Sequence, residues 1–153
     1  ALASGGWLTY YFSDQEVIKR QLNGVAATLG KEEQETTMQM ALKMGAVKNI
    51  LAASCLVIIP EQGYSEALAQ DLIIQYLIYH RNRHALLTLA LKDLIVDIPA
   101  KGHAAVQTTV SLHRRDTLQA VAVEESHQVR LLLTKSDKKW LLQTITMPEA
   151  LVQ

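Results

Sequence analysis

Residues Asp93–Thr146, DLIVDIPAKGHAAVQTTVSLHRRDTLQAVAVEESHQVRLLLTKSDKKWLLQTIT, carry the strongest structural signal in the sequence. Strand-like runs alternate in it with short polar turns, and no helical period interrupts them. Strands joined by turns this short pair antiparallel, because a parallel pair needs a crossover of about a dozen residues or more. This part of the chain therefore predicts a single antiparallel sheet.

The strands can be placed from the alternation of apolar and polar residues. A long strand is predicted over His84–Pro99, and its apolar face changes near Lys92–Asp93, which indicates a β-bulge. Further strands are predicted over His103–Arg114, Leu118–Lys135 and Trp140–Met147. The core face of the second of these four strands carries Ala104, Val106, Thr108, Val110 and Leu112. Its other, wetter face carries His103, Gln107, Thr109, Ser111 and His113.

The sequence before this sheet predicts mainly helices. The first helix is predicted over Ser13–Gly30, because Ser13 followed by Glu16 is a capping-box pattern and apolar residues then recur at helical spacing. The charged residues Lys31–Glu35 indicate a solvated link, and a second helix is predicted over Thr36–Leu51.

A short strand and a third helix complete the first half of the chain. Ser54–Ile59 ends at Pro60, which favours a strand at the sheet edge, where proline is tolerated. The third helix is predicted over Ser65–Arg83. Because it is apolar almost all round between Leu72 and Tyr79, it is expected to be central, between the sheet and either another helix or a second subunit.

Composition limits the class of protein. The 153 residues suit one domain, and 15 basic residues balance 15 acidic ones, which argues against a nucleic-acid partner. The single cysteine, Cys55, cannot form an intramolecular disulfide, and its apolar surroundings favour a buried, unreactive side chain over a reactive thiol.

The N-terminal segment Ala1–Phe12, ALASGGWLTYYF, clusters aromatic residues just before the first charged residue. Such clusters are typical of a membrane interface, although the segment is too short to span a bilayer. Two interpretations stay open: the end of a membrane anchor or signal segment, or an arm that packs on the domain or on a partner. The first predicts a periplasmic or extracytoplasmic, membrane-anchored protein, and the second leaves a cytoplasmic location open. Residues 13–153 are predicted to form one domain.

Three helices followed by a curved, mostly antiparallel sheet resemble the α+β cone of the nuclear transport factor 2-like (NTF2-like, cystatin-like) superfamily, in particular its bacterial membrane-anchored members. The resemblance rests on SDQEVIKRQL, on the hairpin DLIVDIPAKGHAAVQTTVSL and on the ending KSDKKWLLQTIT. It implies a cone with a pocket at its open end and a homodimer formed through the sheet. Because members of the superfamily include enzymes and binding proteins, fold alone does not set the activity.

In enzymes of similar fold, an aspartate base works with a tyrosine that stabilises a developing oxyanion. Asp97 is the candidate base here, and Tyr76 or Tyr79 the candidate donor. The alternative is that Asp97, close to a turn, is only a solvated surface carboxylate.

A ligand pocket is a separate prediction. Tyr76, Tyr79, His80 and Arg83 fall on one helix face and could hold an anionic or carbonyl ligand at a pocket mouth. Met44 on the second helix would add an adaptable apolar surface. The alternative is an aromatic core pair, a charged helix end and a core methionine.

Other kinds of site find no support in the pattern. The histidines are scattered along the chain, so neither a metal ion nor another cofactor is predicted, and no phosphate-binding glycine loop is present. His113-Arg114-Arg115 reads as a solvated basic turn.

Two functions follow from these patterns. The first is a non-catalytic module that binds an apolar small molecule or a protein partner, and the second is a small isomerase, dehydratase or hydrolase that uses Asp97 with Tyr76 or Tyr79. The sequence leaves open whether the protein is an enzyme.

Overall fold

In the computed structural model, residues 2–32 and 34–152 are described, with side chains at 13–32 and 34–151. The fold is α+β, with three helices on a six-stranded mixed sheet. The helices are α1 (Leu2–Leu29), α2 (Thr37–Lys48) and α3 (Gln70–Asn82). The strands are β1 (Leu51–Ile59), β2 (Tyr64–Ala69), β3 (Leu86–Ala100), β4 (His103–Arg115), β5 (Val123–Ser136) and β6 (Lys139–Thr146). Short 3₁₀ turns cover Pro60–Gln62 and Glu149–Val152.

Helix α1 begins earlier than its sequence pattern predicts. It starts at Leu2 and includes the backbone of most of the segment for which the sequence leaves two interpretations open, an anchor remnant or a packing arm. The predicted capping box at Ser13 and Glu16 is therefore wrong, because both residues lie inside a continuous helix whose own turns satisfy their backbone groups. No helix in the described part of the chain is long and apolar enough to cross a membrane.

Helix α1 packs on the sheet through an apolar stripe and two side-chain amides. Ile18 and Leu22 are fully or almost fully buried in the core. Gln15 donates a hydrogen bond to the Val96 carbonyl at 2.7 Å, and Gln21 donates one to the Trp140 carbonyl at 2.8 Å. These bonds fix the helix across strands β3 and β6.

Helix α2 begins with a capping box that belongs to Thr36. The Thr36 hydroxyl accepts a hydrogen bond from the backbone of Gln39, and the Gln39 side chain accepts one from the Thr36 backbone. This arrangement satisfies two backbone donors that the first helical turn leaves free. The predicted second helix is confirmed, and it ends at Lys48 instead of Leu51.

The region between α2 and β3 differs from its prediction in two ways. Strand β1 is not an edge strand, since it pairs with β2 on one side and with β6 on the other. The predicted helix from Ser65 is wrong over its first part, because Tyr64–Ala69 pairs antiparallel with β1 and the helix starts only at Gln70. Pro60 opens a 3₁₀ turn, and Gly63 ends it in a left-handed conformation with φ of 60°.

The sheet has the order β2-β1-β6-β5-β4-β3. The three pairings from β3 to β6 are antiparallel, as the short turns predict. Strand β1 lies parallel to β6, which makes the sheet mixed. This pairing joins the two halves of the chain.

The bulge predicted near Lys92–Asp93 is confirmed. The register between β3 and β4 shifts after Lys92, and Asp93 has a positive φ of 53°. The buried Thr108 hydroxyl donates a hydrogen bond to the Lys92 carbonyl at 2.9 Å, which gives that carbonyl a partner at the bulge. A bulge increases the local twist and bends the strand.

The two faces of β4 follow the predicted alternation with one exception. Ala104, Val106, Thr108 and Val110 are buried on the core face. On the opposite face Ser111 is buried as well, where it lies between Ala90 of β3 and Ser126 of β5. Cys55 has no exposed surface, and burial raises the pKa of its thiol to about 11, so it is an unreactive core residue.

Candidate functional site

A cavity of about 690 Å³ lies between the core face of the sheet and helix α3. One part of its wall is apolar and comes from α3 and four strands: Leu77, Leu87, Leu89, Leu112, Val129 and Ile145. The 3₁₀ turn at the C-terminus closes another side through Ala150 and Leu151. The volume is in the range of known small-molecule sites, which are mainly apolar with a few polar groups.

The wall becomes polar where β4 and β5 leave the core. Leu112 and Arg114 share one face of β4, and Glu125 lies directly opposite Leu112 on β5. His127 lies opposite Val110 and therefore has the same orientation as Glu125. The alternation along β4 and β5 thus places these charged side chains on the core face of the sheet. Charged residues at core-facing positions of a folded protein usually mark a functional site.

These residues form a connected hydrogen-bond network. Arg114 donates to Asp116 at 2.8 Å and to Glu125 at 3.0 Å. His84 Nδ1 lies 2.7 Å from the same Asp116 oxygen, and His127 Nε2 lies 3.1 Å from Glu125. Arg114, His84 and His127 are mostly buried, whereas Asp116 is open to solvent. The network fixes the mouth of the cavity.

The ionisation of the network follows from these contacts. The hydrogen bond from His84, with those from Arg114, holds the pKa of Asp116 below its usual value. The hydrogen bond from His127, followed by that from Arg114, lowers the pKa of Glu125. Both carboxylates therefore stay ionised at neutral pH, where they can accept protons or hydrogen bonds but not donate them.

A second polar cluster lies behind the cavity, where the three helices meet. Arg81 lines the cavity and donates to the Leu29 carbonyl at 3.0 Å, the Gly30 carbonyl at 2.8 Å and Glu35 at 2.7 Å. Lys43 of α2 also donates to Glu35, at 2.9 Å. The side chains of Arg81 and Glu35 are each only 3% exposed. Glu35 therefore does not belong to a solvated link, as its charged neighbours suggest, because its partners come from other elements.

Only some of the site residues that were predicted from sequence line the cavity. His80 lines it. Tyr76 and Tyr79 do not, and they are 52% and 61% exposed, so α3 is not buried all round within a single chain. Met44 is buried where α2 faces α1 and α3, away from the cavity wall.

Asp97 also lies outside the cavity lining, exposed on β3 between the buried residues Val96 and Ile98. The cavity therefore does not unite Asp97 with a tyrosine. A role for Asp97, Tyr76 or Tyr79 in catalysis stays a prediction.

Arg114, Glu125 and His127 are site residues that the sequence patterns do not predict. Arg114 was interpreted as part of a solvated turn, and the histidines as scattered. The signal was available in the alternation, because Arg114 continues the parity of Val110 and Leu112. His84 and Asp116 carry no such signal, since they flank strands and meet only through the pairing of β3 with β4.

No protein-family model matches the sequence, and no curated protein matches it. Solved structures do resemble the fold. A Novosphingobium aromaticivorans protein provisionally assigned as a scytalone dehydratase superposes with a TM-score of 0.69 at 12% identity, covering 89% of this chain and 83% of its own. A Mycobacterium tuberculosis protein of unknown function gives 0.64 at 10% identity, covering 89% and 73%. The association domain of C. elegans CaMKII gives 0.61 at 11% identity, covering 88% and 92%. The chain has the NTF2-like fold. Identities this low show the fold alone, so the function has to be argued from the cavity.

Proposed function

We propose that this NTF2-like chain is a small-molecule-binding module whose ligand occupies the cavity beneath α3. The observation that supports the proposal is the wall itself, which is apolar along the strands and polar at the C-terminal end of α3 and where β4 and β5 meet. An apolar body would replace water against Leu87, Leu112 and Val129, and a polar end would stay near the mouth.

Binding of the neutral dye Nile red, whose fluorescence rises in apolar surroundings, tests this proposal. Leu112→Trp fills part of the cavity and is expected to weaken dye binding about tenfold or more. Gln107→Trp is the matched control, because the same indole is placed on the exposed face of the same strand. Thermal melting of both variants shows whether they remain folded. Equal affinity of Leu112→Trp and Gln107→Trp for the dye would contradict the proposal.

One observation favours an enzyme as the second candidate function. His84 and Asp116 both line the cavity and share a 2.7 Å hydrogen bond, the geometry in which a carboxylate orients an imidazole for proton transfer. The pair could remove a proton from carbon beside a carbonyl group, the first step of a dehydration or isomerisation. This assignment replaces Asp97 as base with a residue that lies at the cavity, and the provisional dehydratase assignment of the Novosphingobium neighbour is compatible with it.

Exchange of deuterium from solvent into a panel of ketones and β-hydroxy ketones tests the enzyme candidate. His84→Gln should abolish exchange, whereas His113→Gln should not, since His113 forms a comparable pair with Glu124 that is exposed on both sides. Asp97→Asn tests the assignment made from sequence in the same assay. Exchange that is undetectable in the wild-type protein would leave binding without catalysis as the function.

The location predicted from Ala1–Phe12 is part of the same proposal. An extracytoplasmic, membrane-tethered protein would place the cavity where it could capture exported or imported molecules. Fractionation of bacterial cells that express the full gene tests this, with the protein expected in the membrane fraction. Recovery of the protein only with cytoplasmic markers would contradict it.

A further inference from the structure

The charged residues around the cavity do not all have opposite charges beside them. The lining includes three arginines and two carboxylates: Arg81, Arg83, Arg114, Asp116 and Glu125. A ligand meets whatever charge is left after the internal pairs are formed. That remainder can be found by following each cation to its partners.

Two of the three arginines are fully engaged. Arg114 is held between Asp116 and Glu125 at 2.8 and 3.0 Å. Arg81 directs its guanidinium toward Glu35 and the carbonyls at the end of α1. Neither can turn to a ligand without breaking these short charge-assisted hydrogen bonds, which costs free energy.

The negative end of the α3 dipole is also already occupied. The ammonium group of Lys31 lies at this end of the helix, where it donates hydrogen bonds to the His84 carbonyl at 2.9 Å and to the Arg81 carbonyl at 3.4 Å. A cation at the C-terminal end of a helix offsets the partial negative charge of the free carbonyls. The helix end therefore does not neutralise a further cation nearby.

Arg83 is the cation that remains. Its guanidinium lies over the Tyr79 ring, 5.9 Å from the centroid, and no carboxylate among residues 13–32 and 34–151 forms a salt bridge with it. His80 lines the cavity one helical turn earlier. Burial, with Arg83 and His84 nearby, lowers the pKa of His80, so its ring is neutral at physiological pH and offers a hydrogen bond without a second charge.

We propose that the cavity selects amphipathic carboxylates, with the apolar chain against the walls and the carboxylate group on Arg83 beside His80. The proposal rests on the binding function proposed above and names its ligand class. One guanidinium neutralises one negative charge, as a carboxylate carries. A dianionic phosphate would keep an uncompensated charge close to Asp116 and Glu125, which disfavours it.

Displacement of Nile red by decanoate and by decan-1-ol, which share an alkyl chain, tests the proposal. Arg83→Gln is expected to weaken decanoate about fivefold, the size of an exposed ion pair, and to leave decanol unchanged. Arg115→Gln is the matched control, because it removes an equal charge at the same end of the sheet from a residue that does not line the cavity. It should leave both affinities unchanged.

The possible results separate the two proposals. If Arg83→Gln weakens both ligands equally or neither of them, or if Arg115→Gln acts as strongly on decanoate, the selection of carboxylates by Arg83 is wrong while cavity binding stands. If decanol displaces the dye and decanoate does not, the same conclusion holds. If the dye, decanol and decanoate all fail to bind the wild-type protein, the cavity-binding function itself is overturned.

Discussion

Glu35 accepts hydrogen bonds from Arg81 at 2.7 Å and from Lys43 at 2.9 Å, and these contacts connect α2 with α3 through the segment that precedes α2. Glu35→Gln leaves the buried Arg81 without its counter-charge. We expect a loss of about 3 kcal/mol in the free energy of unfolding, measured by urea denaturation. Asp71→Asn is the control, since the Lys48–Asp71 pair is largely exposed, and it should cost less than about 1 kcal/mol.

The Glu35 carboxylate also makes the free energy of unfolding depend on pH, with stability lost as the pH falls. Burial raises the pKa of Glu35, but the hydrogen bonds and charges of Arg81 and Lys43 outweigh it, so the pKa lies below the ordinary 4.5. The stability that Glu35 contributes is therefore complete above that value and is lost as the pH falls through the lower, folded value. Between about pH 6 and about pH 3.5, wild type should lose more free energy of unfolding than Glu35→Gln. Parallel curves for the two proteins would show that Glu35 carries no such linkage.

The role of a single residue can be predicted from sequence only where the residues around it form an informative local pattern. Cys55 lies in an apolar run, and its burial is confirmed. Glu35 lies among other charged residues, and nothing near it in sequence distinguishes it from Glu32, which is exposed. Its burial depends on Arg81, a partner 46 residues away, and therefore on the tertiary fold.

The turn between β1 and β2 offers a test at the level of the element. Gly63 has a φ of 60° and no atom within 4 Å of an added Cβ, so Gly63→Ala meets conformational strain without a clash. We expect a loss of about 1 kcal/mol in the free energy of unfolding. Gly24→Ala is the matched control, because Gly24 lies inside α1 with equally open surroundings, and it should stabilise the protein by about 0.5 kcal/mol or more. Changes of the same sign in both variants would contradict the role of the left-handed conformation.

The elements that the sequence predicts well are those with repeated local signals. Strands β3 to β6, their antiparallel pairing and the bulge at Lys92–Asp93 follow from alternation and short turns. Strand β2 was missed because Ser65–Ala69 has good helix-forming residues, and pairing with β1 overrides that preference. The parallel pairing of β1 with β6 joins segments far apart in sequence, so no local pattern indicates it.

For the whole molecule, the homodimer through the sheet stays a prediction that the outer sheet face makes testable. Ile95 of β3 lies opposite Gln107 of β4, and Leu132 of β5 lies opposite Ala105 of β4, so both apolar side chains are exposed on the same outer face of the sheet. Large apolar residues at the middle of an otherwise polar surface are typical of a contact with another chain. If the sheets of two chains pair there, adding charge at both positions must separate them, since each new ammonium group would be desolvated in the contact.

We expect the wild-type protein to sediment as a dimer at micromolar concentration and the double variant Ile95→Lys with Leu132→Lys to sediment as a monomer. The matched control is Met38→Lys with Leu42→Lys, which adds the same charges to exposed apolar positions on α2. This control should remain dimeric, because α2 lies on the helical side of the sheet. A monomeric wild type would remove the dimer, and dissociation by the α2 variant alone would move the contact from the sheet to the helices. The sheet dimer leaves Arg83 and the cavity open, because they lie on the opposite, core-facing side, so ligand affinity should be the same in the monomeric variant as in the wild type.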